Sequence, residues 1–255
     1  MNIGIKGRGN NVPAAFDGAQ VITGKFHWSG WEDVLVYYPD GVNAGAGTVI
    51  SGEGDGSVLQ TQLSANTNRI DPQGLQDPYG NSPLRLANGY DADGVEPLAP
   101  DLISVTGDPV NGYGLTYHPS MPLNGVYYGN YRLTVTTPTG GTDWQNWAIA
   151  STRVASGVAL FLRNQATGAL YLWQGVTVAD NGDGTGTVTR TQFEIAANWR
   201  TGESLTALQA TDINGDGVPD LWTVTPDGTA TAYLISGLNA GGTATVQAQP
   251  AQTLN

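Results

Sequence analysis

A repeat of about 60 residues constrains this chain more than any other feature. A turn pair, Ser-Gly or Asp-Gly, recurs at Ser29, Asp93, Ser156 and Asp216, separated by 64, 63 and 60 residues. An apolar segment follows each: DVLVYY from Asp33, DLISV from Asp101, VALFL from Val158 and DLWTV from Asp220. A second landmark at Gly41, Gly107, Gly168 and Gly228 keeps step, and another apolar segment follows it. The second copy carries four extra residues, Glu96 to Ala99, before its apolar segment. Two landmarks in step over four copies predict four units of one supersecondary structure.

Each unit reads as four strands. The first strands are AQVITGKF, PLRLANG, WAIAST and LTALQAT, and the fourth are SVLQTQL, YRLTVTT, VTRTQFEIA and ATVQAQ. Thr, Val, Tyr and Leu in partial alternation are what a half-buried pleated strand selects. Four antiparallel strands per repeat make a propeller blade. The expected fold is an all-β propeller with four four-stranded blades at 21–63, 83–137, 147–196 and 205–250, and residues 1–20 form an N-terminal strand and linker. Two completions follow. The four blades close as a ring, or the chain is a segment of a larger propeller completed by another domain or chain. The ring is favoured because an uncovered apolar blade face is costly in water. Closure predicts that Gln20 to Phe26 lie beside Leu205 to Thr211.

Composition narrows the partners. The 255 residues include 36 Gly and no Cys, so disulfides and thiol catalysis are excluded. With 22 acidic against 10 basic residues the net charge is −12, and such a field repels nucleic acid and anionic membranes. No apolar run reaches 18 residues, so no membrane insertion is expected. The first residues, MNIGIKGRGNNVPAAF, lack the apolar stretch of a signal peptide.

The segment ALQATDINGDGVPDLWTVTPDGTATAYL, with Trp199 ahead of it, resembles the VCBS or FG-GAP repeat, the blade type of integrin α-chain propellers and of many bacterial secreted proteins. The resemblance covers most of residues 21–255 and is concentrated in the last unit. It implies a propeller, an extracellular location and a loop of the form Asp-x-Asp/Asn-x-Asp-Gly-x-x-Asp that holds Ca2+.

The residues support that loop independently. Asp212, Asn214, Asp216 and Asp220 stand at positions 1, 3, 5 and 9, and the Val218 carbonyl falls at position 7. Calcium needs hard oxygen ligands crowded on a short loop, and Gly217 permits the sharp turn. Three carboxylates this close repel one another unless a cation neutralises them. Position 12 is Thr223, and strands flank the loop, which excludes the helical-hand version. A bare Asp-Gly hairpin turn would need one such pair and not four oxygens at alternate positions. The second unit offers Asp91, Asp93 and Asp101, with Gly89 where the first ligand should be, and admits a weaker site or an empty loop. The first unit has Lys25 at position 1, which argues against an ion, and the third has lost the ligands. ADNGDGTG, residues 179–186, reads as a hairpin tip.

No catalytic motif emerges. There is no Gly-x-Ser-x-Gly, no His-Glu-x-x-His and no phosphate loop. The two histidines, His27 and His118, lie in different units. Trp144 and Trp199 stand before first strands, as wedges between blades would. Trp28 and Trp31 occur in the first unit only and are the candidates for stacking on a ligand. The function expected is a non-catalytic extracellular binding or adhesion module, calcium-stabilised, recognising a glycan or protein through its loop faces. The alternative is a propeller-type polysaccharide-active enzyme, a lyase or glycoside hydrolase.

Overall fold

The computed structural model describes residues 18–26, 30–52, 54, 67–70, 72–95, 99–120, 127 and 129–254. Strands β1 (Gln20–Gly24), β2 (Asp33–Tyr37), β3 (Gly47–Ile50) and β4 (Thr67–Ile70) form an antiparallel sheet in that order. The expected fourth strand SVLQTQL lies outside the described residues. The strand that pairs with β3 comes from the stretch between the expected first and second blades, residues 64–82, with Gly47 opposite Ile70 and Thr48 opposite Arg69. A one-turn helix, Pro72–Leu75, follows.

The second and third units were expected as separate blades, and their outer strands join instead. The second has β5 (Arg85–Tyr90), β6 (Asp101–Asp108), β7 (Gly112–His118) and β8 (Tyr131–Leu133). The third has β9 (Trp147–Val154), β10 (Gly157–Asn164), β11 (Leu170–Asp180) and β12 (Thr185–Ala196). All eight form one sheet, because β8 pairs in parallel with the start of β12. The cause is length: β11 and β12 run 11 and 12 residues and reach beyond their own blade. Arg132 N–H donates to the Gly184 carbonyl at 3.1 Å and Thr134 N–H to the Gly186 carbonyl at 2.8 Å. Only glycine fits at 186, where a Cβ would come within 2.6 Å of the Tyr131 ring. The fourth unit has β13 (Ala207–Thr211), β14 (Asp220–Val224), β15 (Thr229–Ser236) and β16 (Thr245–Ala248), with a short β17 (Gln252–Thr253) also on β15.

The first strands of the units stand side by side: β1 packs on β5, β5 on β9 and β9 on β13. Side-chain amides stitch this inner row. Gln20 donates to the Leu84 carbonyl at 3.0 Å and accepts from Leu86 N–H at 2.8 Å, and Asn88 donates to the Thr23 carbonyl at 2.8 Å. Across the first and last units, Gln209 Nε2 donates to the Val21 carbonyl at 2.8 Å, which sets the two segments beside each other as ring closure predicts.

Cores fill the seams between units. Ile22, Leu35 and Val49 meet Leu86 and Leu102. Ile103, Leu115 and Tyr131 meet Trp147, Leu160 and Trp173. Phe161, Leu172 and Phe193 meet Leu221, Tyr233 and Ile235. Strand β10 shows why VALFL carries no polar alternation: Leu160 and Leu162 face one seam, Phe161 the next. A fully buried side chain of this size contributes about 1.5–3 kcal/mol. The tryptophan wedges are as expected: Trp144 stands edge-on to Trp173 at 5.9 Å, and Trp199 to Tyr233 at 4.9 Å. Four-stranded units packed face to face around an inner row of strands make the fold an all-β propeller.

Candidate metal centre

The second strand of three units opens with a buried aspartate. Asp220 accepts from Ile235 N–H at 2.8 Å and Ile213 N–H at 3.0 Å. Asp101 accepts from Ser120 N–H at 2.6 Å and from the Tyr117 hydroxyl. Asp33 accepts from Gly52 N–H at 2.9 Å. All three are buried. Asp220 ties the loop between first and second strands to the end of the third strand, and Asp101 and Asp33 hold the chain at the end of the third strand of their own units. The sequence pattern marks this aspartate as the last ligand of the loop, and the geometry gives it a clamping role as well. In the third unit β9 turns straight into β10, with Gly157 at φ 105° and no aspartate.

In the fourth unit the loop between β13 and β14 winds around its own acidic side chains. Asp212 accepts from Gly215 and Asp216 N–H at 2.8 and 3.1 Å on Oδ1, and from Gly217 N–H at 2.9 Å on Oδ2. Asp216 accepts from Val218 N–H at 2.8 Å and from Asn214 Nδ2 at 2.9 Å. Gly215 and Gly217 make the winding possible at φ 75° and 83°. Val218 is half-buried against the adjoining core and anchors the far side of the loop. An ionised carboxylate has about four acceptor positions, so Asp212, Asp216 and Asp220 all keep capacity beyond these bonds. Burial pushes the Asp220 carboxyl above its ordinary range, and the Asp216 charge adds to the rise. Among the described residues no three His, Cys, Asp or Glu side chains gather as a metal-holding group. In donor chemistry the loop nonetheless fits a hard divalent cation: three carboxylates, one amide oxygen and one carbonyl.

The second unit's loop is answered from within the protein. Asp91 pairs at 2.7 Å with Arg153, which β9 of the next unit supplies. Tyr117 lies between the other two acids: Asp93 N–H donates to its hydroxyl at 3.1 Å, and the hydroxyl donates to Asp101. Val178 N–H, from the long β11, donates to the Ala92 carbonyl at 2.7 Å. Burial pushes the Asp101 carboxyl up to about 6, with Asp93 adding to the rise against the hydrogen bonds of Ser120 and Tyr117.

The remaining candidates divide. His27, Trp28 and Ser29 lie outside the described residues. Trp31 is 51% exposed and Lys25 is exposed. ADNGDGTG is a hairpin tip as expected: Asp180 accepts from Gly182 N–H and Asp183 from Thr185 N–H. His118 and Ser104 approach to 2.7 Å, yet both are fully buried, and burial lowers the imidazole to about 4. Arg153 and the Tyr117 hydroxyl are the site residues that sequence reasoning missed. Nothing local marks them, because each acts on a loop remote in sequence.

No family model matches the chain, and no curated protein matches it. Among solved structures it is similar to Kluyveromyces lactis Hsv2, with a TM-score of 0.36 and 10% identity over 87% of this chain and 59% of that one. It is similar also to Kluyveromyces lactis Hsv2 with complete loop 6CD, with a TM-score of 0.36 and 11% identity over the same shares. The chain thus spans about three fifths of the structures it resembles.

Proposed function

We propose that this protein is a non-catalytic, extracellular binding or adhesion module, stabilised by one calcium ion and recognising a glycan or protein through the loops at the ends of its propeller. The observation that carries this reading is the loop of the fourth unit. Its five oxygen donors are grouped on nine residues, and among the described residues no group from another unit neutralises them as Arg153 does for Asp91. The ion would be held by Asp212, Asn214, Asp216, Asp220 and the Val218 carbonyl, and would supply charge neutralisation and a fixed loop shape. Asp91, Asp93 and Asp101 form the weaker candidate. The likeness of the repeat to VCBS and FG-GAP blades supports the extracellular assignment. The test is thermal unfolding with calcium and with chelator. Binding to the folded state alone adds about 2.7 kcal/mol at a hundredfold excess over Kd, so chelation lowers Tm. An unchanged melting curve would contradict the structural role of the ion.

A further inference from the structure

Three observations meet at the propeller end that carries the loops between first and second strands, and none belongs to the fourth unit's acidic loop. The first is the seating of Trp31. A Cβ on Gly54 would fall 2.3, 2.4 and 2.6 Å from Cδ2, Cε2 and Cε3 of the indole. Near-equal approach to three ring atoms places the glycine over the flat of the ring and not at its edge. Gly52 is equally close-packed: a Cβ there would meet the Glu32 carbonyl at 2.0 Å, and its N–H is held by Asp33. The chain after β3 therefore supports the indole from beneath, and half of the side chain remains open to solvent.

The second observation is Tyr90, a non-glycine residue at φ 56° where β5 slips register against β6. Its N–H is tied to Asn88 Oδ1 at 2.7 Å. A bulky residue held in the left-handed region stores strain, which proteins keep where a side chain must be aimed. The third is the polar surround. The Tyr90 hydroxyl faces Thr152 and lies within the fields of Glu32 and Arg153, and Arg153 in turn pairs with Asp91. Three units thus contribute to one strip: Trp31 and Glu32, Tyr90 and Asp91, Thr152 and Arg153.

A flat apolar plate on one unit, with carboxylates, a phenol and a guanidinium at the same end of the next two units, is complementary to a pyranose ring. Such a ring presents a C–H face to an aromatic plane and hydroxyls around its rim. The net charge of −12 disfavours uronates and sulfated sugars. We propose that this end of the propeller binds a neutral hexopyranose chain, with Trp31 as the stacking platform, Glu32 and Asp91 accepting hydroxyl protons and Arg153 donating. Gly54 acts as a positioning residue. The proposal deepens the loop-face binding reading and rests on it.

The test uses the full chain with calcium, titrated calorimetrically with cellohexaose, mannohexaose and β-1,4-galactohexaose, with hexagalacturonic acid as the anionic control. At least one neutral hexasaccharide binds saturably and shifts the tryptophan emission, and the galacturonide does not bind. Trp31→Ala weakens binding by about tenfold or more, whereas Trp31→Phe retains most of it. Gly54→Val also weakens it, through a displaced indole, with far-ultraviolet circular dichroism unchanged. The idea is overturned if none of the neutral hexasaccharides binds, or if one binds equally to Trp31→Ala. The chelator-dependent melt is recorded on the same samples: an intact calcium response alongside absent sugar binding sinks this site alone.

Discussion

The loops of the second and fourth units occupy the same place in the repeat and solve the same problem differently. Both start from a buried aspartate that clamps the third strand, Asp101 in one and Asp220 in the other. Both carry two further acids close by. In the second unit Arg153 pairs with Asp91, the Tyr117 hydroxyl donates to Asp101, Asp93 accepts from Val95 N–H in its own loop, and the first ligand position is Gly89. In the fourth unit, among the described residues, the acids meet the N–H groups of their own loop, an Asn side chain and the end of β15. The difference teaches that one acidic pattern can meet different partners: a neighbouring unit supplies a cation to the second loop, and the fourth loop folds its own N–H groups onto its acids.

The largest effects should come from the shared clamp. Asp220→Ala and Asp101→Ala each leave two hydrogen-bond donors without their acceptor and should each cost about 2–4 kcal/mol in urea unfolding. Comparable losses sharpen the equivalence of the two positions; a neutral Asp101→Ala would break it.

Acid sharpens the second unit's side of the comparison. His118 is held at about 4, below its ordinary 6.5, so the unfolded chain binds the proton more tightly. The stability it contributes is therefore lost as pH falls from 6.5 through about 4, by up to about 3 kcal/mol. Asp101 has the opposite sign. Its folded value of about 6 lies above 3.8, so stability is lost as pH rises through that window. The two oppose each other in the native chain. His118→Gln should remove the acid-side loss and Asp101→Asn the alkaline-side one, each read from unfolding midpoints between pH 4 and 7.

Much of this was legible in sequence and some of it could not be. VALFL announced an apolar strand, and β10 is one, buried on both faces. Trp144 and Trp199 announced wedges by standing before first strands. TNRI pairs with β3 but is not legible as a strand in sequence, because it lacks the apolar alternation that SVLQTQL has. The joining of the second and third units was out of reach, since β8 and β12 are distant in sequence and meet through the extra length of β11 and β12. The acids of the site were visible from their spacing. Arg153 was not, for it reaches Asp91 across a seam that exists only after folding.

The smallest effect expected is that of Arg153→Gln. Its pair with Asp91 is half-exposed, so the loss in stability should stay below about 1 kcal/mol, measured in urea. A larger loss would mean that this pair and not the Tyr117 bridge carries the second loop.

Calcium titration calorimetry on three chains tests the central claim most directly: the native protein, Asp216→Ala and Asp93→Ala. One ion per chain should bind the native protein and Asp93→Ala alike, more weakly at lower pH as protons compete for the raised Asp220 carboxyl, and Asp216→Ala should bind none. Binding that survives Asp216→Ala and disappears in Asp93→Ala would reverse the assignment of the two loops, and no binding by the native chain would contradict it outright.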